Sequence, residues 1–150
     1  MRWSPGEAVI ERQLEERHLE KVTGVKADGA PWLARARRIL NTARGDLAED
    51  PASAYVLAYD AARQACTALL AQQGLRPTTR GGHYAVEEAV RAQFGPLLRE
   101  FGTLRRRRNE LEYPEYPDDE ATNEEAGDAL RIAAGIVDAA EKLRPELGIF

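Results

Sequence analysis

Cysteine, histidine and serine are scarce in this chain, and their scarcity removes most familiar kinds of reaction centre. Its 150 residues include one cysteine, Cys66, so neither an intrachain disulfide framework nor a multi-thiolate zinc site is expected. The two histidines, His18 and His83, are too few for a His-rich metal centre, and no His-x-x-x-His pair occurs. No metal and no cofactor is therefore expected. Ser4 and Ser53 are the only serines, and neither sits in a nucleophile-elbow context. Gly81-Gly82 lacks the lysine of a phosphate-binding loop, and no strand is expected before it. Long apolar runs are missing too. The longest uncharged stretch, Gln64 to Leu75, has 12 residues, against roughly 18 or more for a membrane span. The opening MRWSPGEAVIERQLEERHLEK is too charged for a signal peptide. These absences together predict a cytoplasmic protein with no membrane association.

What is abundant is alanine (25 residues) and leucine (16), a composition that favours close-packed helices over sheet. Residues 6–22 predict a charged helix with a thin apolar stripe of Val9, Ile10, Leu14 and Val22, placing it and the following loop to residue 30 at the periphery. Leu33, Ala36, Ile39, Leu40, Ala43 and Leu47 recur at spacings of three and four after Pro31, which marks a one-sided helix. Asp50-Pro51 stops it and caps the next, over about 52–73. That helix carries apolar residues on most of its surface and is expected at the centre of a bundle. Residues 75–83 read as a loop. A helix over 84–93 is broken at Gly95-Pro96 and followed by another over 97–111. The final helix starts at Thr122-x-x-Glu125, a capping box, and keeps an apolar stripe to Leu143. The expected architecture is all-α: one domain over 1–150, an up-down bundle of four main helices with a peripheral N-terminal helix.

The net charge of −4 conceals an asymmetry. Residues 99–108 hold five arginines and one glutamate, while 110–125 hold eight acids and no base. Two readings of 104–117, LRRRRNELEYPEYP, stand together. In the first, Arg106–Glu110 and Arg108–Glu112 are exposed ion pairs, contributing about 0.3–0.5 kcal/mol each. In the second, Arg105, Arg106, Arg107 and Arg108 offer guanidinia for bidentate phosphate contacts, and Tyr113 and Tyr116 offer stacking faces for unpaired bases. Duplex DNA is disfavoured, because eight acids follow the basic run directly.

Three further residues belong to this reading. Asp60 and Arg63 lie on the polar strip of the central helix, where they pair with each other, pair with the 105–108 arginines, or line a cleft between two copies. His83, in Arg80-Gly81-Gly82-His83, is either a local hydrogen-bonding group or a base for the site. His18 falls on the charged N-terminal helix, exposed. Cys66 lies on the apolar helix and reads as core.

Arg108-Asn109-x-x-x-Tyr113, late in a small all-α bundle, resembles the Arg-Asn-x-x-x-His signature of HEPN domains. The similarity extends through AYDAARQACTALLAQQGLRPTTRGGHYAVEEAVRAQF and LRRRRNELEYP, from about Ala34 to Leu143. It implies a dimer that joins two motifs in one cleft. It also implies RNA or nucleotide binding, and in many members metal-independent endoribonuclease activity. Some members are toxins restrained by a nucleotidyltransferase partner that modifies a tyrosine near the motif, a role Tyr116 has the reach for. Carried onto this chain, Arg108 stabilises phosphate charge, Asn109 orients groups, and Tyr113 occupies the histidine position. A tyrosine of ordinary pKa near 10 is about 0.1% phenolate near pH 7, so a phenol there donates or stacks. The alternative reading is a non-catalytic interaction module that partners a nucleotidyltransferase.

Overall fold

A computed structural model describes residues 2–150, the side chain of Leu97 excepted. Six helices and two short strands follow in the order α1 (Glu7–Glu15), β1 (Leu19–Lys21), α2 (Ala30–Asp46), α3 (Pro51–Gln72), β2 (Leu75–Pro77), α4 (Gly82–Phe94), α5 (Phe101–Glu112) and α6 (Asn123–Leu143). The fold is an all-α helical bundle built round α3, on which α2, α4, α5 and α6 all pack. Ala54, Ala58, Ala61, Ala62, Ala65 and Ala68 are wholly buried along it. Side chains this small let neighbouring helices approach closely at native packing density. Cys66 is buried among them, and burial pushes its thiol pKa up, so it serves as core.

Both long helices start as the sequence predicts. The Ser53 N–H donates to Asp50 Oδ1 at 3.2 Å and its hydroxyl to Oδ2 at 2.6 Å, while Pro51 fills the first turn of α3. At α6 the Glu125 N–H donates to Thr122 Oγ1 at 3.0 Å. Among the described residues the reciprocal bond of the expected capping box does not form; the Glu125 carboxylate meets Arg107 instead.

The N-terminal segment departs from expectation. The helix stops at Glu15 rather than near residue 22, because His18 N–H donates to Gln13 O (2.8 Å) and Arg17 N–H to Leu14 O (3.2 Å). This is the Schellman closure, and Arg17 takes its left-handed position with φ 61°. His18 therefore lies beyond the helix. The chain then runs as β1, antiparallel to β2, with Leu19 opposite Pro77 and Lys21 opposite Leu75. A strand thus does precede Gly81-Gly82, contrary to the sequence reading, although the turn still carries no lysine. The segment remains at the edge: α1 packs on α4, where Gln13 Nε2 donates to Ala85 O (3.2 Å) and Glu88 Oε1 (2.8 Å).

The turn into α4 is tied to this segment. Thr78 donates its N–H to His18 O (3.0 Å) and its hydroxyl to Arg17 O (2.6 Å). A Cβ at Gly81 would lie 2.2 Å from His18 O, so only glycine lets the two backbones approach this closely. α4 itself begins at Gly82, two residues earlier than predicted. After it, Gly95–Leu98 form a short 3-10 turn, and α5 begins only at Phe101. Among the described residues no helix is long and apolar enough to cross a membrane.

Candidate functional site

Consecutive helical residues are about 100° apart, so Arg105 to Arg108 fan out around α5 and meet different surroundings. Arg107 is enclosed by carboxylates. Its Nη1 and Nη2 each reach Asp119 at 3.0 Å, its Nη1 reaches Glu110 at 3.1 Å, and its Nε faces Glu125. Hydrogen bonds from Arg107 hold the Asp119 carboxyl below the usual range. Arg105 is taken up by Glu87, a carboxylate only 3% exposed that also receives Arg91. Gly102 leaves room for that carboxylate, since a Cβ there would sit 2.5 Å from Glu87 Oε1. Arg106 is exposed and donates to Thr103 Oγ1 at 3.3 Å. The predicted Arg106–Glu110 pair does not form, because Glu110 goes to Arg107 instead. Arg108–Glu112 does form, at 3.5 Å.

Arg108 faces α3 and α4. Its guanidinium carbon lies 5.8 Å from the centre of the Tyr59 ring, and its Nη1 is 3.4 Å from Asn109 Oδ1. Tyr59 is fully buried and stacks on Phe101 with centroids 5.6 Å apart and planes 6° from parallel. Its hydroxyl lies 3.1 Å from His83 Nδ1. Desolvation pushes the Tyr59 pKa up to about 12 against the pull of Arg63 and Arg108, so the phenol keeps its proton near pH 7. His83 moves the other way. Partial burial, then the charges of Arg63 and Arg108, lower its pKa, with Asp60 opposing. The imidazole is therefore neutral near pH 7, and the residue stays open to solvent. When Tyr59 donates to Nδ1, His83 Nε2 bears the hydrogen; when Nδ1–H donates to the phenol oxygen, Nε2 carries a free lone pair.

Arg63 completes the cluster from α3. Its Nε lies 3.9 Å from Asp60 Oδ1, too far for a hydrogen bond. Among the described residues the buried Nε atoms of Arg63 and Arg108 both lack a hydrogen-bond partner. Two guanidinia, each incompletely matched, thus stand beside one neutral imidazole. Such a set favours an anion that brings several acceptor oxygens, such as a phosphate ester.

A family model, that of the HEPN domain, matches residues 30–143. The chain belongs to the HEPN family. No curated protein and no solved structure matches it. All the residues of the Arg108 cluster fall inside the HEPN stretch, whereas α1 and β1 precede it.

Of the residues singled out in the sequence, Arg108, Asn109, Arg63, Asp60 and His83 are brought together. Arg105 lies beside them but is engaged by Glu87, and Arg107 occupies the carboxylate side. Tyr113 and Tyr116 are 79% and 65% exposed in the segment after α5. Among the described residues neither phenol makes a hydrogen bond. Sequence reasoning missed two members. Tyr59 reads as one more apolar residue on α3, yet a buried tyrosine needs a partner for its hydroxyl, and that need was a usable signal. Glu87 gave a weaker one: an acid on the apolar side of a short helix, one turn before Arg91.

Proposed function

We propose that this HEPN chain binds RNA or a nucleotide through a phosphate held by Arg63 and Arg108, and that it cleaves RNA without a metal. The observation that carries the reading is the neutral, solvent-open His83 fixed by Tyr59 beside two incompletely matched guanidinia. In the proposed step the RNA 2′-hydroxyl attacks the adjacent phosphorus as His83 Nε2 takes its proton. The bond from phosphorus to the 5′ oxygen breaks, leaving a 2′,3′-cyclic phosphate. The proton is returned to the leaving 5′ oxygen, which restores the neutral imidazole. Arg108 and Arg63 stabilise the charge that builds on the phosphoryl oxygens, and Asn109 orients Arg108. His83 thus takes the base role that the motif position, Tyr113, is poorly suited to fill.

A homodimer belongs to the same proposal. Val56, Leu57 and Leu111 line a groove of about 510 Å³ that also includes Glu112, the ion-pair partner of Arg108. Covering this groove with a second copy would set two Arg108 clusters close together. The exposed phenols of Tyr113 and Tyr116 favour a second reading, in which a nucleotidyltransferase partner modifies one of them and the chain acts as a toxin-type or interaction module.

The test is incubation of purified protein with single-stranded RNA in EDTA, with product ends analysed. Cleavage to cyclic-phosphate ends that is lost in His83→Ala and Arg108→Ala supports the proposal. Salt-sensitive binding without cleavage retains the phosphate seat and removes the role of His83. Neither binding nor cleavage contradicts the proposal and leaves the interaction module.

A further inference from the structure

A second basic surface lies beside the turn that leads into α4 and His83. Between α1, β1 and the residues after β2 is a groove of about 590 Å³, floored by Leu14 and Leu19 and edged by Arg17, Lys21, Thr79 and Arg80. The three cations are exposed, and among the described residues none makes an ion pair. The one acid at the rim, Glu20, is matched by Arg76 across the strand pair. The groove therefore presents an uncompensated charge of three.

The backbone adds an independent point. Arg17 is the only non-glycine residue among those described with positive φ. Glycine takes this conformation without strain, and another side chain there costs roughly 1–2 kcal/mol. The chain bears that strain at a position whose side chain edges the groove. Arg80 lies three residues before His83. The turn around Arg80 is held to the Arg17–His18 backbone through Thr78 and the close Gly81–His18 contact.

We infer that this groove is a second phosphate subsite, which receives the backbone of a single-stranded RNA extending from the Arg63–Arg108 seat. The inference rests on the RNA reading above. It adds that the ligand is a strand of several nucleotides and not a mononucleotide. Arg17, Lys21 and Arg80 then contact sugar-phosphate backbone and carry no base specificity. It also gives the segment before the HEPN stretch a part in binding.

The test compares wild type with the triple variant Arg17→Asn, Lys21→Gln, Arg80→Gln and with Arg108→Ala. Fluorescence anisotropy is measured with a labelled 12-nucleotide RNA and with a labelled dinucleotide, over a salt series. Asparagine tolerates the left-handed backbone at position 17, and circular dichroism melting checks that the variant is folded. For the 12-mer, the triple variant should bind about 10-fold or more weakly at low salt, with a log–log salt slope smaller by about 2, three contacts at roughly 0.7 each. Its dinucleotide affinity should match wild type. Unchanged 12-mer affinity and slope in the triple variant, with binding still lost in Arg108→Ala, would overturn the subsite and leave the RNA reading intact. No RNA binding by wild type would overturn both.

Discussion

Arg107 and Arg108 are neighbours in sequence and opposites in surroundings. Arg107 is met by three carboxylates, one of them bidentate at 3.0 Å. Arg108 has contacts of 3.4 and 3.5 Å, a tyrosine face and a buried Nε that has no partner among the described residues. A satisfied guanidinium ties elements together, here α5, the following segment and the start of α6. An unsatisfied one beside a neutral imidazole has binding capacity left over. Net charge and the length of the arginine run could not separate the two roles; the carboxylates that reach each one do.

The largest expected effect removes the platform on the Arg108 side. Phe101 is fully buried beneath Tyr59, and Phe101→Ala should cost about 3–5 kcal/mol of stability by urea unfolding. RNA binding should fall as well, because Tyr59 loses its support. Next is Arg108→Ala, expected to lower cleavage about 10²-fold in single-turnover assays with little change in melting temperature. Arg107→Ala should show the reverse, a melting temperature about 2–4 °C lower with RNA binding preserved. If both variants behaved alike in both assays, the distinction between the two arginines would be gone.

Acid should separate the two sides by pH. His83 has a lowered pKa in the fold, so the unfolded chain takes up that proton first. Stability contributed by neutral His83 is present above about pH 6.5 and is lost as pH falls through the lower folded value. His83→Gln should flatten the pH dependence of urea midpoints in that window. Asp119, held low by Arg107, acts in a more acidic range, with stability present above about pH 4 and lost below it. Asp119→Asn should therefore lower stability at neutral pH and flatten the pH dependence only in that acidic range. The smallest effect is expected at Arg106, which is exposed and, among the described residues, bonded only to Thr103. Arg106→Gln should leave the melting temperature within about 2 °C of wild type.

Much of the bundle was legible because local rules govern it. Asp50-Pro51 and Thr122 start α3 and α6 where their side-chain oxygens can cap, and the apolar spacing of α2, α3 and α6 is unambiguous. The end of α1 was not legible, because the usual glycine of a Schellman closure is replaced by Arg17. Nor were β1 and β2, three residues each, paired across 56 positions at Glu20 and Arg76. Alternation over three residues carries almost no signal. In the site, Arg108, Asn109 and His83 could be singled out from motif and loop. The hydroxyl of Tyr59 reaching His83 and the partners of Arg107 at 119 and 125 depend on how helices pack, and sequence spacing does not encode that.

In the proposed function Arg108, and not Arg107, seats a phosphate. Isothermal titration of a single-stranded RNA in EDTA into wild type, Arg107→Ala and Arg108→Ala, each shown to be folded, tests it most directly. Wild type and Arg107→Ala should bind with similar affinity while Arg108→Ala binds at least about 10-fold more weakly, the loss of one charge-assisted bidentate contact. Equal binding by wild type and Arg108→Ala, or a loss confined to Arg107→Ala, would contradict it.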